Sequence, residues 1–231
     1  MNVETCAPAA GAARLVEGPV DAHIAVRQIS LAKRAFDLAL SSAGLVLSAP
    51  VAAVVATAIF LEDGGPIFYG QERVGEGGAI FRALKFRSMV PNAEAGVGAL
   101  QASENDPRIT RVGRVLRATA LDELPQLWNI VRGDMSFVGP RALRPGEIET
   151  TGSGAHVDME TIPGYAERHS VRPGLTGIAQ VYAPRDVPRR HKFKYDLIYV
   201  ANRSFSLDMR LILLSFWITF RGRWEHRGRK F

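Results

Sequence analysis

Cysteine is almost missing from this 231-residue chain, whose single one is Cys6. That excludes an internal disulfide and a cysteine-based metal cage. The five histidines, His23, His156, His169, His191 and His226, show neither the i, i+4 nor the clustered spacing of a zinc site. The glycine-rich stretches contain no G-x-G-x-x-G and no Walker pattern, so the common phosphate-cradling loops are not indicated. Ser153 lies in Thr-Gly-Ser-Gly-Ala, outside the G-x-S-x-G frame of a nucleophile elbow. No internal repeat recurs at a period of about 20 to 50 residues. Residues 1–30 are rich in alanine and glycine without an apolar core of signal-peptide length, and they read as a mobile leader.

What the chain does have is one long apolar run. Leu38 to Leu61 holds 24 residues without a charge, with Pro50 near its middle. As a helix the run would extend roughly 36 Å, enough to cross a hydrocarbon core of about 30 Å. Pro50 removes a backbone donor and frees the carbonyl of Val46, which lipid cannot satisfy. Lys33 and Arg34 precede the run, while Arg73, Arg82, Lys85 and Arg87 follow it after the short acidic patch of Glu62 and Asp63. Basic flanks mark the cytoplasmic side of a membrane, and here both flanks are basic. Two half-length helices, broken at Pro50 and entering and leaving through one leaflet, satisfy both. A straight or kinked full span is the competing reading.

The formal charge of +6 suits anionic partners, whether phospholipid headgroups, nucleotides or nucleic acid. The length allows an anchor and one catalytic unit. After the run, Pro66-Ile67-Phe68-Tyr69 reads as a strand, and Gly75-Glu76-Gly77-Gly78 as a turn into Ile80 to Phe86, together a β-hairpin. Residues 91–107 read as a surface connection. Arginines at 108, 111, 114 and 117 place a basic stripe on one helical face, either plainly solvated or directed at phosphates. Residues 145–164 look loop-like, Arg172 to Gly177 reads as a tight turn, and Ile178 to Tyr182 as a strand. Leu211 to Phe220 is too short to span. It suits an interfacial helix backed by the basic tail of Arg221, Arg223, Arg227, Arg229 and Lys230, or a plain core helix.

With zinc and serine chemistry set aside, the adjacent carboxylates Asp122 and Glu123 are the candidates for chemistry. Pro125 places them at or just inside a helix start, where the helix dipole favours the ionised form, fit for a nucleophile or a Mg²⁺ ligand. For an acidic pair taken alone at such a place, helix capping is the commoner explanation, and the surrounding residues must raise the odds of chemistry. Around them stand Lys85, Arg87, Arg114, Arg117 and Arg141, several beside glycine or proline turns. Arginine matches phosphate through its planar fork, so the set describes a site for a phosphorylated substrate at a membrane face.

These motifs resemble the bacterial sugar transferases known as monotopic phosphoglycosyl transferases, from about Lys33 to Phe220. The likeness is carried by Lys33-Arg34 with Asp37, Gln71-Glu72-Arg73-Val74-Gly75, Lys85-Phe86-Arg87-Ser88-Met89 and Asp106-Pro107-Arg108-Ile109-Thr110-Arg111-Val112-Gly113. It continues through Leu121 to Asn129, through Gly133 to Arg141 and through Arg172 to Gly177.

The resemblance implies an α+β fold: a membrane-embedded re-entrant helix over residues 31–62 and a small cytoplasmic core with β-hairpin elements over 63–231, ending in the interfacial helix and basic tail. It implies transfer of a sugar 1-phosphate from a UDP-sugar donor to polyprenyl (undecaprenyl) phosphate, with release of UMP, as the first membrane step of exopolysaccharide or other surface-glycan synthesis. Asp122 would be the nucleophile, Glu123 its partner, and both would hold Mg²⁺; Arg141 would stabilise the transferring phosphoryl group. Lys85, Arg87 and Asp196 match positions of donor or metal-site residues. The expected setting is the bacterial inner membrane, with the core on its cytoplasmic face among membrane lipids and without nucleic acid; a homo-oligomer is compatible with it. The family breaks its helix at Ser-Pro, whereas here Ala49 precedes Pro50 and Ser48 stands one place earlier, a hydroxyl able to rescue a freed carbonyl. The four-helix membrane domain of larger relatives is not expected. Two other classes compete: a non-catalytic, basic, membrane-anchored protein binding anionic lipid or nucleic acid, and a transferase that moves the sugar alone and releases UDP.

Overall fold

The structure, a computed structural model, describes residues 31–91, 93, 106–150, 156–183 and 187–221. The expected leader with Cys6, most of the 91–107 connection, Ser153 with its flanking glycines and the tail beyond Arg221 lie outside the described residues.

Helix α1, Leu31–Asp63, is one continuous element of 33 residues with Pro50 inside it. The expected division into two halves is therefore not seen in its secondary structure. A proline removes one hydrogen bond of the ladder while the turns on either side, built from alanine, leucine and valine, keep theirs. Ser48 donates to the carbonyl of Leu45 at 3.4 Å and not to Val46. Only Asp37, Ser41, Val55 and Ile59 of α1 are buried, and Leu47 and Leu61 are 80% and 77% exposed. An apolar helix this long and this uncovered is suited to lipid, and it associates the chain with a membrane.

Polar contacts tie both ends of α1 to the rest of the molecule. At its start Arg34 donates to the carbonyls of Ile130 (2.6 Å) and Val131 (2.8 Å). These belong to the last turn of α3, Gln126–Arg132, whose orphan carbonyls need such donors. Asp37 accepts from the Ser136 hydroxyl at 2.8 Å, and Lys33 pairs with Asp208 at 2.6 Å. At the other end Glu62 accepts from the backbone N–H groups of Arg111 (2.7 Å) and Val112 (3.1 Å), the first of α2, Arg111–Thr119. Asp63 pairs with Arg87, and Val55 and Ile59 pack on Phe86 and Leu116.

Strands β1, Phe68–Val74, and β2, Ile80–Phe86, form the expected antiparallel hairpin, in register from Phe68 with Phe86 to Val74 with Ile80. Its first strand begins two residues later than Pro66. The loop is a 3₁₀ turn, Glu76–Gly78, whose glycines take the positive φ that the reversal needs. Helix α2 starts at Arg111 because Thr110 caps it, accepting from the N–H of Gly113 at 2.9 Å. Arg108 thus precedes the helix, clamped by Asp106 through its backbone N–H (3.0 Å), Nε (2.9 Å) and Nη2 (2.6 Å). The basic stripe is reduced to Arg111, Arg114 and Arg117.

Beyond α3, strand β3, Ser136–Val138, pairs in parallel with β6, Gly174–Thr176. The expected turn at Arg172 to Gly177 is therefore part strand. Gly139 and Gly174 allow it, since a Cβ at Gly174 would stand 2.0 Å from the Gly139 nitrogen. Residues 145–164 are likewise not all loop: β4, Ile148–Thr150, pairs antiparallel with β5, His156–Asp158, ahead of a 3₁₀ turn at Met159–Thr161. A four-residue helix α4, Tyr165–Arg168, follows. Ile178–Tyr182, expected as a strand, is the short helix α5. Helix α6 spans Arg189–Asn202 and α7 spans Phe205–Phe220. Leu211, Ile212 and Ile218 of α7 enter the main core with Ile130, Val138 and Ile178, while Leu213, Phe216, Trp217 and Phe220 stay exposed. The helix is a core helix on one face and an uncovered apolar surface on the other.

Candidate active site

Asp122 and Glu123 sit in a 3₁₀ turn, Leu121–Glu123, between α2 and α3. The turn opens at Ala120, which ends α2 with φ of 56° and is the one non-glycine residue with positive φ among the described residues. A left-handed alanine costs about 1–2 kcal/mol, and here it reverses the chain so that both carboxylates face inward. Pro125 then starts α3. The dyad thus precedes the helix by a separate turn and does not lie in its first turn.

Two cations reach the dyad from different elements. Lys85 of β2 donates to Glu123 Oε1 at 2.7 Å and stands 3.9 Å from Asp122 Oδ2. Arg141, just past β3, donates from Nη2 to the same Glu123 oxygen at 2.9 Å. Glu123 is therefore held from two sides and Asp122 only at a distance. Burial penalises the ionised form of both carboxyls. It wins at Asp122, whose carboxyl is pushed up to about 6, with Lys85 opposing and Glu123 reinforcing the rise. At Glu123 burial is outweighed by Lys85 and Arg141, which hold the carboxyl well below its usual range. The expectation that a helix start favours the ionised form of Asp122 meets an opposing and larger desolvation effect, which moves its titration up toward neutrality while leaving the carboxylate the main form at pH 7.

Buried Asn129 of α3 fixes this arrangement. Its Oδ1 accepts from the N–H of Leu84 (2.9 Å), and its Nδ2 donates to the Arg82 carbonyl (2.8 Å) and to Asp134 (3.0 Å). Strand β2, and with it Lys85, is locked to the helix behind the dyad. Asp196 of α6 acts at one remove: its carboxylate is bound by Arg168 Nε (3.0 Å) and Nη2 (2.9 Å), and Arg168 Nη2 also donates to the Arg141 carbonyl at 2.6 Å. Burial raises the Asp196 carboxyl and Arg168 opposes the rise. Arg168 Nη1 meets Nε2 of His169 at 3.0 Å while His169 Nδ1 lies 2.8 Å from the Tyr165 carbonyl. Those partners require a neutral ring protonated on Nδ1, and burial with the Arg168 charge lowers its pKa to about 4.

One cavity of about 1180 Å³ collects these groups. Asp122, Glu123, Lys85, Arg87, Arg117, Arg141 and Asp196 all line it; Arg114 is exposed and does not. Arg87 is buried beside Asp63, and its Nε and Nη1 are buried without a hydrogen-bond partner. Cations outnumber carboxylates in the lining, and one wall is apolar, made by Leu40, Ala43 and Leu47 of α1 with Ile212 and Phe216 of α7. Sequence reasoning missed Asn129, Arg73, Arg144, Glu147, Arg168 and Arg189. Asn129 and Arg73 lie inside quoted motifs, but nothing in a linear motif says which members face inward. As a possible metal site the dyad offers two carboxylates, and no group of three or more His, Cys, Asp or Glu gathers among the described residues. Two carboxylates fit Mg²⁺, which completes its shell with water and substrate phosphate.

Residues 28–222 match the family model described as bacterial sugar transferase. The chain belongs to the bacterial sugar transferase family. This transferase is 42% identical over 185 residues to the exopolysaccharide production protein PSS of Rhizobium leguminosarum bv. phaseoli, covering 78% of this chain and 90% of that one. It is 41% identical over 192 residues to the UDP-glucose:undecaprenyl-phosphate glucose-1-phosphate transferase of Caulobacter vibrioides, covering 80% and 68%. The same identity over 192 residues relates it to the undecaprenyl-phosphate glucose phosphotransferase of Komagataeibacter xylinus, covering 80% of this chain and 35% of that longer protein.

Proposed function

We propose that this sugar transferase moves a sugar 1-phosphate from a UDP-sugar to undecaprenyl phosphate through a covalent intermediate on Asp122, releasing UMP, in exopolysaccharide or related surface-glycan synthesis. The observation that carries the reading is the uneven dyad: Lys85 and Arg141 are both spent on Glu123, leaving Asp122 buried and the less engaged oxygen donor. An Asp122 oxygen would attack the donor's β-phosphorus, the bond from that phosphorus to the bridging oxygen would break, and UMP would leave with the electron pair. The lipid phosphate oxygen would then attack the same phosphorus and return Asp122 as a carboxylate. Two displacements replace one encounter between two anions. Lys85 and Arg141 would stabilise charge on the transferring group, and Arg168 with Asp196 would hold Arg141 in place through its carbonyl. Asp122 and Glu123 would hold Mg²⁺, which supplies charge neutralisation for the diphosphate.

The apolar wall of α1 and α7 gives the polyprenyl chain a surface continuous with the dyad's cavity. We read α1 as entering and leaving by the cytoplasmic leaflet of the inner membrane. Both of its ends are bound by polar contacts to one charged body, and a full span would carry part of that body across the bilayer.

The test supplies a panel of UDP-sugars with undecaprenyl phosphate and Mg²⁺ and analyses the protein and nucleotide by mass spectrometry. A sugar-phosphate adduct on Asp122 and UMP as product are expected. UDP as product would assign transfer of the sugar alone, and no turnover with any donor while anionic lipid still binds would favour a non-catalytic protein.

A further inference from the structure

We infer that Arg73, Arg144 and Arg189 form a second anion subsite in the same cavity, which holds the nucleotide's own phosphate while the dyad engages the one bearing the sugar. The inference rests on the donor reading above and adds to it the part of the molecule that grips UMP.

Three separate elements bring these guanidinium groups to one wall. Arg73 lies near the end of β1, on the inward face it shares with Gln71; Arg144 follows β3; Arg189 opens α6, and all three line the cavity with Arg141. Buried Arg73 donates from Nη1 to the Ala142 carbonyl at 2.9 Å and from Nη2 to Gln71 Oε1. Both acceptors are neutral, so neither offsets its charge. Glu147 is one carboxylate of the group: it accepts from Arg189 Nη1 and, at 3.0 Å, from the backbone N–H of Arg144. Glu149 joins it, accepting from the backbone N–H of Arg189 at 2.6 Å and pairing with Arg190 at 3.1 Å. Among the described residues two carboxylates thus stand against the four guanidinium groups of Arg73, Arg144, Arg189 and Arg190, and the patch stays positive.

The electrostatics agree with that geometry. Burial pulls the Arg73 guanidinium down to about 9, and Arg141, Arg144 and Arg189 add to the pull. Burial also lowers Arg189, with Glu147 and Glu149 opposing and Arg141 and Arg144 adding to the fall. Desolvated like charges held this way favour an anion between them. Arginine forks suit phosphate oxygens best.

Position selects the nucleotide over the lipid. The four-residue segment from Arg141 to Arg144 presents its first arginine to Glu123 and its last to the new cluster, and Arg73 and Arg168 hold the backbone of that segment. A diphosphate can therefore address both ends. A separate apolar group of Leu143, Met159 and Phe193 contributes Leu143 and Phe193 to the cavity beside these arginines. The lipid-suited wall of α1 and α7 belongs to other elements, so a water-borne donor is the fitting occupant.

The test compares the full-length wild-type chain with Arg144→Gln and Glu147→Gln, reconstituted in nanodiscs, by calorimetric titration with UMP and by KM for each substrate. Arg144→Gln is expected to weaken UMP binding and raise the donor KM about tenfold, the scale of one charge-assisted contact, with the acceptor KM unchanged. Glu147→Gln is expected to tighten UMP binding, an opposite sign that a damaged fold cannot produce. If both variants weaken UMP alike, or neither shifts it, the subsite is overturned. A rise in the acceptor KM instead would assign the cluster to the lipid phosphate and overturn it too. Failure of the donor reading looks different: the wild-type chain then binds no UMP and releases none.

Discussion

Adjacent in sequence, Asp122 and Glu123 have opposite electrostatic fates, and that contrast makes testable demands. The folded state holds the Asp122 proton more tightly than an unfolded chain does, so ionising this carboxyl costs stability as pH rises from its ordinary 3.8 toward about 6. Glu123 works the other way: its folded carboxyl lies below the usual 4.5, so it contributes stability above that value and loses it as pH falls. Asp122→Asn removes the unfavourable charge and keeps the shape. Its melting temperature at pH 7 should rise, by on the order of 1 kcal/mol of unfolding free energy, while UMP release falls at least ~10³-fold, as for removal of a nucleophile. A variant that melts lower and still turns over would contradict both halves. Activity of the wild-type chain should show an acid limb near pH 6, where Asp122 gains its proton. Asp122, Glu123, Lys85 and Arg141 were all legible in the sequence as one charged set. Their division of labour was not, because burial appears only once β2, the dyad's turn and the segment after β3 converge.

At the scale of elements, the seam between β2 and α3 sets the site. Asn129→Ala would leave the Leu84 N–H and the Arg82 carbonyl, both now bound by one side chain, without their partner. A loss of about 2–3 kcal/mol is expected by chemical denaturation, the price of orphaned buried backbone groups. Donor kcat should fall with it, because Lys85 leaves the same strand. Unchanged kcat in a destabilised protein would separate the seam from the site. The hairpin itself was readable from its strands and the glycines between them, since its partners are local. The parallel pairing of β3 with β6 was not, because its two strands lie far apart in sequence and meet through glycines that look like turn residues. Ile178–Tyr182 was misread for a different reason: five residues cannot display a helical period, and Ile, Val and Tyr favour strands in isolation.

For the whole molecule the deciding element is α1, whose apolar surface was plain in the sequence but whose attachments were not. A helix of 33 residues is about 50 Å long, and length alone would carry it through a bilayer. Its tethers argue otherwise. Lys33, Arg34 and Asp37 at one end and Glu62 and Asp63 at the other bind charged or backbone groups of the same folded body. Placing those ends in opposite compartments would draw buried ion pairs into hydrocarbon, where a charge costs about 2.5–3.5 kcal/mol or more. The apolar side chains left exposed on α7, among them Phe216 and Trp217, extend the same lipid-suited surface and leave the cavity's charged wall to water. In a Cys6→Ser background, Leu31→Cys places a thiol at the exposed first residue of α1 and Pro66→Cys places one at an exposed position just past its end. A membrane-impermeant maleimide should label both in inverted membrane vesicles and neither in intact spheroplasts. Labelling of one from each side would show a full span, detach the dyad's cavity from a single leaflet and remove the geometry proposed for bringing a lipid phosphate to Asp122.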